Sequence, residues 1–302
     1  MYSSRPDLRP LSVGEMVDGA IHLYRTHFLT LIKIAAAVLG PIALIEVIAT
    51  AAIGPVDMST MLVVDPEANP MELFEPLVPV YTVLLLTSGL SLLGSVLVQG
   101  ASISALAHSY RGETVDWRTS LRTGGRRFIP LVAATLLISI GSTIGLVFCL
   151  IPGIYLFTMW TVTPAALVTE RIGPLRAMGR SFRLVRGRFW PVLGALVLAY
   201  LLYIVVSQII GGIAGAVTVA SALASDRFSF LPSVIGGAIV EVVAAPFVAA
   251  MVTIIYFDLR VRKEGYDLEL MARDLERLEP GDGRDGPPSP GDDPFGLGTP
   301  GS

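Results

Sequence analysis

The sequence is poor in charge. Only 16% of its 302 residues are Asp, Glu, Lys or Arg, while 53% are hydrophobic; a soluble domain carries about 25% charged residues. So few charges exclude an ordinary water-exposed surface. Cysteine is nearly absent: Cys149 stands alone, so no internal disulfide and no thiolate metal cluster can form. The three histidines, His22, His27 and His108, show no ligand spacing, and no metal site is expected. Nucleophile motifs and phosphate-cradling glycine loops are also missing. The chain therefore reads as a non-enzyme with no catalytic residues and no cofactor. Two local absences matter as much. Residues 54–77 contain no Lys or Arg, and residues 173–191 contain no acid.

What fills the chain instead is long apolar runs, and its mean hydropathy is +0.67. Six runs, 28–53, 78–107, 128–150, 154–169, 189–224 and 231–257, are nearly free of charge. A membrane-crossing helix needs about 20 such residues. An all-α integral membrane fold with six transmembrane helices follows. The fourth run is the weakest, being short and interrupted by Pro164. The first run follows 27 polar residues with no small-residue cleavage pattern, which is not the layout of a cleaved signal peptide.

The basic residues are one-sided. Arg5, Arg9 and Arg25 precede the first span. Arg111, Arg118, Arg122, Arg126 and Arg127 follow the second. Arg171 and the arginines at 176–188 follow the fourth, and Arg260, Arg262 and Lys263 follow the sixth. The opposite side offers Arg227 alone, with five acids in the 54–77 loop. The positive-inside rule places both termini in the cytoplasm of a bacterial plasma membrane protein. It also requires 128–169 to be a hairpin, turning at Leu150–Gly153, because the loops on either side are both basic.

A repeat is visible at an offset of 161, which sets Leu23, Arg25 and Phe28 against Leu184, Arg186 and Phe189. A fainter copy aligns Phe128. The fold is thus expected to comprise three repeats of an interfacial amphipathic helix plus a transmembrane hairpin. The interfacial helices are placed at 12–27 and 173–188. Ser12 and Glu15 have capping-box spacing, and Pro174 suits a first helical turn. Leu175, Met178, Phe182, Val185 and Phe189 form an apolar stripe.

Arg176, Arg180, Arg183, Arg186 and Arg188 lie among those apolar positions. An arginine at the bilayer centre costs about 2.5–3.5 kcal/mol, so five would exceed about 12. On the cytoplasmic surface each contributes about 1 kcal/mol of attraction to anionic lipid. These five, with Arg25, are the candidate contacts to anionic lipid headgroups. A helix apposed to a membrane needs no nucleic acid, and none is expected as a partner.

Ionisable groups inside spans are functional candidates. Glu46 and Glu241 qualify. Counted at 1.5 Å per residue from the span starts, their depths differ by roughly 10 Å, so a direct pairing is not expected. Ser91, Ser95 and Gln99 share one polar face of span two. Gly211 and Gly215 in span five have helix-packing spacing. Either these groups only pack helices together, or they line a substrate path. Residues 264–302 read as a cytoplasmic tail, disordered from about 280, where Gly and Pro dominate.

The stretches 9–28, 151–160, 180–194 and 256–270 resemble the membrane-domain family named after glycerophosphoryl diester phosphodiesterase, in its stand-alone actinobacterial form. The resemblance covers about residues 9–270. Some relatives carry a fused catalytic barrel that needs His, Glu and a metal ion. This chain has neither the room nor the motif, so the resemblance implies a membrane module without phosphodiesterase activity. The expected role is a non-enzymatic scaffold or lipid-contacting module, with the bilayer, a membrane protein or a second copy as partner. The alternative is a permease-like protein using Glu241 and the polar face of span two.

Overall fold

The computed structural model describes residues 11–53, 77–110, 116–224 and 228–265. The N-terminal segment 1–10, most of the acidic loop, Arg111, Arg227 and the tail beyond 265 lie outside the described residues. The helices, in chain order, are α1 (Val13–Thr26), α2 (Phe28–Ile53), α3 (Val78–Tyr110), α4 (Trp117–Arg126) and α5 (Phe128–Phe148), then α6 (Leu150–Met159), α7 (Thr163–Glu170), α8 (Pro174–Val185), α9 (Phe189–Leu223) and α10 (Leu231–Glu264). No strand occurs among the described residues. Six stretches are long and apolar enough to cross a membrane: α2, α3, α5, α6 with α7, α9 and α10. That composition fits a multi-pass membrane protein.

Local chemistry accounts for the helix starts. The Ser12 hydroxyl accepts from Glu15 N–H, and the Glu15 carboxylate accepts from Ser12 N–H at 2.7 Å, closing the capping box. Helix α4 starts on Asp116, whose carboxylate accepts from both the N–H and the hydroxyl of Thr119. Those bonds hold the Asp116 carboxyl below its ordinary pKa. Pro174 opens α8, and Pro164 opens α7, where a missing N–H costs nothing.

The hairpin turns one residue earlier than Leu150–Gly153. Helix α5 ends at Phe148, Cys149 is the extended residue between the helices, and Pro152 sits in the first turn of α6. The glycine there serves packing rather than turning. A Cβ on Gly153 would lie 2.6 Å from the Leu146 backbone nitrogen, and one on Gly145 would lie 2.9 Å from Gly153 Cα. Two glycines thus let α5 and α6 touch backbone to backbone. The fourth span is two helices broken at 160–162. It is 56% buried against 11% for α9, so its modest hydropathy is that of an element enclosed by protein.

Helix α10 is the central element and packs against α1, α2, α3, α7, α8 and α9. Helix α1 runs lengthwise along it. Leu11 N–H donates to Asp258 at 2.8 Å, Gly19 faces Ile254, and the Tyr24 hydroxyl donates to the Val243 carbonyl at 3.0 Å. That carbonyl lies in the turn that Pro246 interrupts. Over these contacts α1 advances about 20 Å while its partners step back about 22 Å along α10. The two axes are therefore side by side and antiparallel. From sequence, α1 is expected to lie across the membrane surface with its apolar face in the headgroups. That face is instead spent on protein, with Met16, Ala20 and Leu23 buried.

The core gathers at the arginine-bearing end. All of α3 from Gly100 to Ala107 and all of α10 from Ala249 to Leu259 are buried. The start of α1 and the end of α10 meet there, because Arg262 bridges Asp258 and the Leu11 carbonyl.

Candidate functional site

The arginine helix divides its own charges. Ala177, Ser181, Leu184 and Val185 of α8 face inward, and the Ser181 hydroxyl donates to the Met159 carbonyl at 2.8 Å. Arg180 also turns inward. Its Nε reaches both oxygens of Glu170, at 2.8 and 3.0 Å, and its terminal nitrogen reaches Glu264 at 2.8 Å. Glu264 first, and Glu170 with it, raise the Arg180 pKa further. The Tyr256 hydroxyl donates to Glu170 at 2.8 Å, and Arg260 Nε pairs with Glu264 at 3.0 Å. Lys263 caps the C-terminus of α8 by donating to the carbonyls of Arg183 and Arg186, each at 2.6 Å.

Arg180 is therefore a tie between α7, α8 and α10. Arg176, Arg183, Arg186 and Arg188 are exposed and pair with no carboxylate among the described residues, and Arg25 on α1 is exposed as well. Trp190, 77% exposed, stands at the start of α9 beside Arg188. The acids that hold Arg180 are absent from the helix itself. One signal was available: Glu170 is the only acid between Asp116 and Asp226, and it immediately precedes the arginine run. Glu264, 84 residues downstream, has no local signal. Helix α4 was likewise missed, although Asp116 three residues before Thr119 is an N-cap pattern.

At the opposite end the structure brings together two groups that sequence depth had separated. Helix α2 runs antiparallel to both α3 and α10, since His27 meets Ser109 and Tyr110 stacks on Phe257. Ile42, Val242 and Ala245 all pack on the cluster of Ala35, Leu39 and Val98, which puts Glu46 and Glu241, about one turn further on, at similar heights. The depth count failed because α10 spans 34 residues, about 51 Å at helical rise. Leu231 therefore does not mark a membrane boundary.

Glu241 lines an open cavity of about 510 Å³ with Tyr203, Ser207 and Gly237. A second, apolar cavity of about 900 Å³ lies between α5, α6, α9 and α10, and it shares Tyr203 and Val248 with the first. Each contains a buried hydroxyl without a hydrogen-bond partner, Ser207 in the first and Ser142 in the second. Ser91, Ser95 and Gln99 are half-buried on α3 and line neither cavity. The Ser95 hydroxyl donates back to the Leu92 carbonyl at 2.9 Å. Gly211 and Gly215, read as helix-packing glycines, face open space with nothing within 4 Å of a Cβ.

His27 joins α1 to α2 and lies 2.6 Å from the Ser109 hydroxyl through Nε2. Burial lowers its pKa below 6.5. Among the described residues no three His, Cys, Asp or Glu side chains are grouped to hold a metal ion. Compared with protein-family models, curated proteins and solved structures, the chain matches none.

Proposed function

We propose that the chain is a non-enzymatic module of the bacterial plasma membrane, with both termini in the cytoplasm, that grips anionic lipid through its arginine face. The observation that carries this reading is the set of four exposed, acid-free arginines, Arg176, Arg183, Arg186 and Arg188, at the foot of apolar helix α9. Arg25, exposed on α1, is a further headgroup contact in this reading. Arginines so placed reach headgroup phosphates while their stems lie along apolar surface. Arg180 belongs to the fold rather than to the lipid contact. A three-unit architecture is part of this proposal. It is supported by α2, α5 and α9, each of which begins on Phe directly after a short helix. Membership of the membrane-domain family named after glycerophosphoryl diester phosphodiesterase is proposed on the stretches that resemble it.

The test is the thermal stability of the reconstituted full chain in neutral phosphatidylcholine nanodiscs and in nanodiscs containing phosphatidylglycerol. The parent should gain stability in the anionic lipid, by up to about 1 kcal/mol per arginine engaged. Replacing Arg176, Arg183, Arg186 and Arg188 with Gln should abolish that gain. Equal behaviour of the parent in both lipids sinks the reading.

A second reading, a permease-like protein, is favoured by one observation: the Glu241 carboxyl faces an open cavity beside Tyr203 and Ser207. It requires proton or solute flux in proteoliposomes that Glu241→Gln abolishes. A parent without flux eliminates it.

A further inference from the structure

The two adjoining cavities differ in chemistry along one continuous path. The larger is lined by aliphatic and aromatic side chains of α5, α6, α9 and α10, including Leu146, Phe157, Leu196 and Met251. Its volume of about 900 Å³ lies in the range of ligand pockets. One polar atom inside it lacks a partner. Ser142 is 6% exposed, and its hydroxyl makes no hydrogen bond, not even to its own helix. An unpaired buried hydroxyl costs about 1–3 kcal/mol, so this wall is not packed as a fully satisfied core. Tyr203 and Val248 form the doorway to the smaller cavity. There the Glu241 carboxyl and the second unpaired hydroxyl, Ser207, await a donor.

We propose that this path binds one neutral amphiphile, a single hydrocarbon chain with a hydroxyl-bearing head. The chain occupies the α5–α6–α9–α10 cavity and the head lies against Glu241 and Ser207. Charge selects the head. Glu241 presents a carboxyl and neither cavity is lined by Lys or Arg, so a phosphate finds no cation where a hydroxyl can donate. The site therefore prefers the lipid class that the arginine face does not. It is separate from that face and does not depend on it.

The test uses a monoacylglycerol carrying a diazirine in its chain, irradiated with the full chain in neutral nanodiscs, with the labelled residues mapped by mass spectrometry. Label should concentrate in 142–157, 193–203 and 241–252. Excess unlabelled monoacylglycerol should remove it, and lysophosphatidylglycerol, with the same chain but an anionic head, should not. Val248→Trp, which blocks the doorway, should cut labelling about tenfold, equivalent to ~1.4 kcal/mol of affinity. Ala199→Leu, a smaller filling of the same cavity, serves if the tryptophan variant does not fold. The variant lacking the four exposed arginines should label like the parent, which separates this site from the headgroup contact. Label spread evenly over the exposed faces of α2 and α5 overturns the proposal. Equal competition by the anionic lipid does so too, as does undiminished labelling in a folded variant of either kind.

Discussion

Helix α10 passes through two unlike environments. From Ala249 to Leu259 every side chain is buried, whereas between Leu231 and Val243 only Gly236 is. The buried half is tied by ionic and hydrogen-bonded contacts to α1, α7 and α8. The open half borders the smaller cavity and carries Glu241, whereas the apolar cavity meets α10 at Val248, Met251 and Val252, where the buried half begins. Stability is therefore concentrated at the arginine-bearing end, and the capacity to admit a ligand at the other. Local opening is easiest where buried contacts are few, and the two properties share residues only at Met251 and Val252, where the apolar cavity meets the buried half.

The sharpest way to break this contrast is to remove one carboxylate from each half. Asp258 is 5% exposed and accepts from both Leu11 N–H and Arg262. Asp258→Ala leaves a part-buried guanidinium without its carboxylate and a backbone donor without its acceptor, and it should cost about 3 kcal/mol. Glu241→Ala strands no hydrogen-bond partner and should stay within about 0.5 kcal/mol. Unfolding in detergent followed by tryptophan fluorescence measures both. A Glu241 variant as unstable as the Asp258 variant would refute the division. Arg180→Ala comes next. Its guanidinium and both partner carboxylates are 19–27% exposed, between the surface and buried limits, so about 2 kcal/mol is expected. Lys at this position should recover less than half of that loss, since one ammonium cannot fork to Glu170 and Glu264 as the guanidinium does.

Glycine substitutions sharpen the same contrast more gently. A Cβ on Gly124 would lie 2.7 Å from the Ala101 backbone nitrogen, where no flexible side chain can yield. Gly124→Ala must push α4 off α3 and should cost about 1–3 kcal/mol. Gly211→Ala in the open half meets nothing and should gain up to about 1 kcal/mol, the helix-propensity difference. Paired thermal melts of the two variants should move in opposite directions. Two losses of equal size would mean that Gly211 meets something outside the described chain.

Much of the frame is legible in the sequence because it is written in local patterns. Charge-free runs mark the six long apolar stretches, and Ser12 with Glu15 marks the start of α1. The ends of α3 and α10 are less legible, since Tyr110 and Glu264 extend their helices with polar residues that hydropathy discounts. The sites are harder still. Arg180 looks identical to its four neighbours until Glu170 and Glu264 are brought to it. Glu46 and Glu241 look separated until the shared packing of Ile42, Val242 and Ala245 on Ala35, Leu39 and Val98 brings them to similar heights. Ser142 gives no signal at all, because an unpartnered hydroxyl is defined by what fails to surround it.

The smallest expected effect concerns the joint between α1 and α2, where His27 faces Ser109. Burial lowers the folded-state pKa of His27 below its ordinary 6.5, so the folded chain prefers the neutral ring. Between the two values the unfolded chain holds more protons, and stability rises with pH there. The contribution of His27 is thus fully present above pH 6.5 and is lost as the pH falls toward the lowered folded value. His27→Gln, which keeps a hydrogen-bonding group near Ser109 but cannot titrate, should flatten this part of the stability profile while changing stability little at neutral pH. Thermal melts of parent and variant across the acidic range provide the check. Parallel profiles would place the acid sensitivity elsewhere, and the joint would then share the pH-independent rigidity of the core around it.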